Sequence, residues 1–150
     1  MKTLNANQVE LGNVFVGLNY RGEEVVRRLV GGTYGTVTKY FLIDESGNLK
    51  SRKRDTAEEV LEGFEIRALT AYEGDTIRGE EKTIEEAKVG DFFIAVSENG
   101  STVKRQLVGG HAYGVDIYFS IDENGKRCSR TRETVQDVLN HYEEVVLVLG

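Results

Sequence analysis

The chain repeats itself. RRLVGGTYG, beginning at Arg27, returns as RQLVGGHAYG, beginning at Arg105. Slide the sequence along itself until Gly12 meets Gly90, and the two halves align without a gap. Phe15 then falls on Phe93, Tyr40-Phe41 on Tyr118-Phe119, and Asp44-Glu45 on Asp122-Glu123. A third of the aligned positions are identical, whereas chance gives about one in fifteen to twenty at ordinary compositions. This is a duplication. Two copies are too few for a solenoid, which needs about three repeats to bury a continuous core. They predict a pair of like units, related by a pseudo-two-fold axis as in a C2 dimer. The expected division is a first repeat at 1–72, a polar linker at 73–82 (EGDTIRGEEK) and a second repeat at 83–150. A unit of about 70 residues is marginal by itself, so the two should pack on each other.

The content of one unit is clearest in the second copy. DFFIAVS, 91–97, is an apolar run stopped by ENGS, and Asn-Gly is a hairpin signal. STVKRQLV, 101–108, returns as the next strand. In VDIYFSID, 115–122, Val115, Ile117, Phe119 and Ile121 point one way, while Asp116, Tyr118 and Ser120 form a polar face. Thr56-Ala-Glu-Glu and Thr134-Val-Gln-Asp then have the spacing of capping boxes, ahead of short helices over 57–64 and 135–142. Strands over 66–72 and 145–150 close each unit. The order β-β-β-α-β predicts an α+β fold with mainly antiparallel sheet.

Composition excludes several classes. The longest apolar runs, such as VVLVL, fall far short of the roughly 20 residues of a membrane helix. MKTLNANQVELG lacks the apolar stretch of a signal peptide, so a cytoplasmic location is expected. One cysteine, Cys128, permits no internal disulfide. A net charge of −6 argues against non-specific binding along duplex nucleic acid. No metal-ligand spacing, nucleophile elbow or cofactor motif is present, so neither a cofactor nor an enzyme activity is expected.

Three duplicated features could carry function. Val25-Arg27-Leu29 and Val103-Arg105-Leu107 place an arginine between two apolar neighbours on one strand face. Such a charge is costly unless matched. Glu65 and Glu143, or Glu45 and Glu123, could pair with it; alternatively the arginines point into a groove and hold an anion. Second, Ser51-Arg52-Lys53-Arg54-Asp55-Thr56 and Ser129-Arg130-Thr131-Arg132-Glu133-Thr134 are the densest basic segments, and each runs into a helix start that could favour an anion. Third, the double glycines are not a phosphate loop: neither G-x-G-x-x-G nor the P-loop spacing is there, and a strand follows. They read as a flexible turn or bulge between strands, with Tyr34 and Tyr113 near the loop tips. Tyr40 and Tyr118, on the polar face of the third strand, could stack on a ligand or anchor a partner. Cys128, beside Lys126, Arg127 and Arg130, could have a lowered pKa but reads as an incidental loop thiol.

The general look is similar to small accessory proteins of phages and mobile elements. The leading expectation is a non-enzymatic binding protein, in which two like units form a pseudo-symmetric body and the acidic second unit with the matched tyrosines and arginines contacts another macromolecule, with a protein as the expected partner. The alternative is a pocket for an anionic small molecule such as a nucleotide. The candidate contacts are the same in both cases: Arg27, Arg52, Arg54, Arg105, Arg130, Arg132, Tyr34, Tyr40, Tyr113 and Tyr118.

Overall fold

The computed structural model describes residues 8–70, 80–97 and 99–149. The fold is α+β, with two antiparallel sheets and few helices. The first half contains β1 (Val14–Leu18), β2 (Glu24–Tyr34), β3 (Val37–Ile43), α1 (Ala57–Leu61) and β4 (Glu65–Thr70). The second contains β5 (Glu81–Lys82), a 3-10 turn at Ile84–Glu86, β6 (Phe92–Val96), β7 (Thr102–Ala112), β8 (Val115–Ile121), α2 (Val135–Asn140) and β9 (Glu144–Leu149). The first sheet runs β3-β2-β1-β4 and the second β5-β9-β6-β7-β8. Registers repeat as well: Phe15 faces Arg27 as Phe93 faces Arg105, and Gly31 faces Tyr40 as Gly109 faces Tyr118. The expected linker ends in structure, because Glu81 and Lys82 pair with Leu149 and Val148 at a sheet edge. Its residues up to 79, and the last two of the strand expected over 66–72, lie outside the described residues.

The period-two pattern explains where each sheet face goes. On β3, Leu42 and Tyr40 join Phe15, Leu29, Val60 and Leu61 beneath α1. Phe41 and Ile43 point the other way and meet Phe119, Ile121 and Val108 from the second half. On β8, Phe119 and Ile121 enter that shared cluster, while Tyr118 packs with Phe93, Leu107, Val138 and Leu139 beneath α2. The polar face expected for β8 is therefore largely covered. Ser120 is fully buried, with its hydroxyl 2.7 Å from the Tyr142 hydroxyl. Tyr40 and Tyr118, expected to face outward, are half-buried in the clusters under the helices. The reason is that α1 and α2 cover the face that alternation alone leaves open.

The glycine pairs also depart from expectation. Gly31-Gly32 and Gly109-Gly110 lie inside β2 and β7, and the hairpin turns come later, at Gly35-Thr36 and Tyr113-Gly114. Tyr113 (φ 55°) and Gly114 (φ 80°) both have positive φ, as a type I′ hairpin turn requires. Gly31 and Gly109, at φ 127° and 129°, sit where no side chain fits: a Cβ would lie 2.3 Å from the Lys39 carbonyl oxygen and 2.1 Å from that of Ile117. This close backbone approach frees both peptide groups of each glycine for the other half. The Gly31 amide donates to Gly125 O (3.0 Å), and Gly31 O accepts from the Arg127 amide (2.6 Å). In the matched pair, the Gly109 amide donates to Gly47 O (3.0 Å), and Gly109 O accepts from the Leu49 amide (2.8 Å). Every donor and acceptor in one pair aligns with its counterpart in the other. Buried Arg28 adds a further tie, donating to Gly12 O (3.0 Å) in its own half and to Glu123 O (2.9 Å) in the other.

Candidate functional site

Most of S-R-x-R-x-T is committed to architecture. The Ser51 hydroxyl accepts from the Leu42 amide (2.9 Å), and Ser129 accepts from that of Ser120 (3.0 Å). Arg54 exchanges two backbone hydrogen bonds with Tyr40, and Arg132 does the same with Tyr118. Thr56 and Thr134 cap the helices by accepting from the Glu59 and Asp137 amides at 3.2 and 3.1 Å. The helices are only five and six residues long, and these caps use the amides that an anion would need. The helix starts are therefore not the binding position. What remains available is the set of arginine side chains, which the paired backbone holds beside β3 and β8.

Two cavities lie at equivalent places in the halves; Arg52 and Arg54 line the first, whereas Arg130 and Arg132 do not line the second. The second-half cavity, about 320 Å3, is walled by Arg105, Cys128, His141 and Tyr142, with Ser97 and Asn99 at its rim. Tyr34 completes it from the hairpin tip of the other half. The first-half cavity, about 460 Å3, is walled by Arg27, Lys50, Arg52, Arg54 and Phe64, and Tyr113 comes from the opposite hairpin tip. Arg27 aligns with Arg105, Lys50 with Cys128, and Phe64 with Tyr142. The arginines of V-x-R-x-L thus face cavities. Each donates to the carbonyl of the residue before it, Arg27 to Val26 at 2.8 Å and Arg105 to Lys104 at 2.9 Å. Among the described residues, neither forms an ion pair with a carboxylate, so the expected glutamate partners are not found there; Glu65 pairs with Arg67 at 3.6 Å.

Arg105 lines the second cavity, and Arg132 stands behind His141. The Nε atoms of Arg105 and Arg132 are sealed from solvent and have no hydrogen-bond partner. Arg132 Nη2 lies 3.4 Å from His141 Nδ1, and His141 Nε2 lies 3.4 Å from the Tyr34 hydroxyl. Arginine is always a donor, so at this contact His141 Nδ1 is the acceptor. Behind Tyr34, buried Arg127 donates to Val37 O (2.8 Å) and stands 6.0 Å from the Tyr34 ring; burial lowers its pKa. At the other site, Arg52 stands 5.0 Å from the Tyr113 ring.

Of the ten residues singled out in sequence, Arg27, Arg52, Arg54 and Tyr113 come together at one cavity. Arg105 and Tyr34 come together at the other, and Arg132 reaches it through His141. Arg130 is exposed and lines neither, and Tyr40 and Tyr118 are in the cores. Lys50, His141 and Tyr142 were not anticipated. Each differs from its aligned residue, so a search for identity passes over it.

Cys128 also takes a different character from the one its basic neighbours suggest. Burial pushes the thiol up, and that outweighs the lowering effect of Arg105 and Lys126. Its Sγ donates to Lys126 O at 3.3 Å. We expect iodoacetamide to alkylate Cys128 more slowly than free cysteine at about pH 8, with the rate still climbing above about pH 9. A rate that levels off below about pH 8 would show instead that the arginines control it.

No protein-family model, characterised protein or solved structure matches this chain.

Proposed function

We propose that the protein binds small anionic ligands, without chemistry, in two related pockets. Each pocket is built on one repeat and closed by the hairpin tyrosine of the other. This treats residues 1–72 and 83–150 as paired units about an approximate two-fold axis, a reading supported by the matched hydrogen bonds of Gly31 and Gly109. One observation carries the functional reading: Arg105 lines a cavity with its Nε buried and unpartnered, and no carboxylate pairs with it among the described residues. A half-buried guanidinium with no carboxylate beside it is costly, and an anion entering the cavity supplies the counter-charge. The alternative, a contact face for a macromolecule centred on Tyr40 and Tyr118, loses support because those rings are half-buried beneath α1 and α2.

The test is titration calorimetry and thermal shift at low salt with orthophosphate, citrate and nucleotides. At least one should bind and raise the melting temperature. Arg105→Ala should weaken orthophosphate binding by about 10- to 100-fold, the range for losing one charge-assisted hydrogen bond. A circular-dichroism spectrum like that of the parent would confirm that the variant folds. Parent-like affinity in Arg105→Ala, or no binding of any of these anions, would overturn the proposal.

A further inference from the structure

The two pockets are not chemically equivalent. We infer that the first-half pocket has diverged to take a ligand carrying two or more linked phosphates, whereas the second-half pocket suits a single anionic group. This rests on the anion-binding reading above. Among the residues lining the first pocket are four cations, Arg27, Lys50, Arg52 and Arg54, against two carboxylates, Glu59 and Glu62. Glu59 is partly engaged, since its Oε1 accepts from the Thr56 hydroxyl at 3.0 Å. Among the described residues, the ion pair of Lys50 is a 4.0 Å approach to Asp44. Among the described residues, the second pocket is lined by one arginine and no carboxylate.

Three aligned positions make the difference. Lys50 stands where the second half has Cys128, whose buried thiol is held neutral. Arg52 lines its pocket, while its counterpart Arg130 does not line the second. Gly63 leaves open the place that His141 fills, and the first cavity is correspondingly larger, about 460 Å3 against about 320 Å3. The result is a basin of about 460 Å3 lined by four cations, which offers a phosphate chain more counter-charge than one phosphate needs. Arginine forks and a lysine ammonium are the usual donors to such chains. Tyr113, 59% exposed beside Arg52, offers a ring face at the mouth. A nucleoside triphosphate could lay its base there; an inorganic chain would leave the ring unused.

The experiment compares orthophosphate, tripolyphosphate and ATP by calorimetry on the parent protein and on Lys50→Cys/Arg52→Ala. Both altered residues are exposed, so the variant should fold, and its urea midpoint checks this. Tripolyphosphate should bind the parent at least about 10-fold more tightly than orthophosphate, and the double variant should reduce that preference to within about 3-fold. ATP binding more tightly than tripolyphosphate would assign the Tyr113 ring to a base. Equal affinities would assign the site to the phosphate chain alone. A parent with no preference, or a preference that survives the double variant, overturns the inference while the broader reading stands. No binding of any anion overturns both.

Discussion

Replacing Gly109 by alanine should remove about 3–5 kcal/mol of folding stability, while the same change at Gly100 should cost about 1 kcal/mol. Both glycines have positive φ, 129° and 84°. They differ in what surrounds them. A Cβ at Gly100 meets nothing within 4 Å, so only the backbone preference is lost. At Gly109 it would lie 2.1 Å from the carbonyl oxygen of Ile117 and 2.8 Å from the Tyr118 Cα, and both are backbone atoms of the neighbouring strand. Relieving that overlap means separating β7 from β8 at the point where Gly109 also bonds to Gly47 and Leu49 in the other half. The loss is a large part of the 5–15 kcal/mol that typically holds a domain folded. Urea unfolding followed by circular dichroism reads both variants. A Gly109→Ala midpoint as close to the parent's as that of Gly100→Ala would show that the strand crossing tolerates a side chain. Gly31 makes the same approach, at 2.3 Å from the Lys39 carbonyl oxygen, and should respond in the same way.

The glycine pair shows what sequence could and could not convey. Its duplication made it conspicuous, and its composition suggested a turn. The turn is three residues further on, because the glycines serve a close strand crossing rather than a chain reversal. Local pattern carries no record of a contact to a segment as distant as Gly125. The elements themselves were legible wherever one local rule governed them. Period-two alternation placed β8, the Thr-x-x-acid spacing placed α1 and α2, and self-alignment predicted the repeated strand order. The error at Tyr40 and Tyr118 has a physical cause: alternation reports which residues share a face, but not whether a helix will later cover it.

The candidate site divides in the same way. Identity between the repeats drew attention to Arg27, Arg105 and the S-R-x-R-x-T segments. Much of that identity proves architectural, since Ser51, Ser129, Thr56 and Thr134 all bond to backbone amides. The two pockets differ partly where the repeats disagree, at Lys50 and Cys128, Gly63 and His141, and Phe64 and Tyr142, and partly where they agree, since Arg52 lines its pocket and Arg130 does not. Tyr34 aligns with Ala112 and Tyr113 with Gly35, so both are positions where the repeats differ. They stand one position apart because the turns differ, Gly35-Thr36 against Tyr113-Gly114, yet each reaches the pocket of the opposite half.

Phe119→Ala should destabilise both halves together, by about 3–5 kcal/mol. Phe119 on β8 and Phe41 on β3 are both fully buried, with ring centroids 4.7 Å apart and planes tilted by 36°. They form the centre of the cluster shared with Val30, Ile43, Val108 and Ile121. A cavity at that point removes support from two sheets at once. The clusters beneath α1 and α2 are small, and a unit of roughly 70 residues has little stability of its own. Loss of the shared layer should therefore not leave one intact unit behind. The variant should unfold in a single transition, and amide hydrogens of β1, in the half without the substitution, should exchange faster than in the parent. Phe41→Ala should act alike. The double variant should lose less than the sum of the two, since each single change already removes the ring pair, whose coupling is about 0.5–1.5 kcal/mol. Parent-like protection of β1 in Phe119→Ala, with loosening confined to β6–β9, would mean that the halves fold independently. The tyrosine of one half could then leave the pocket of the other without unfolding either. Faster exchange in both halves would instead make each pocket dependent on the whole chain, so that a ligand bound at either site stabilises both sheets.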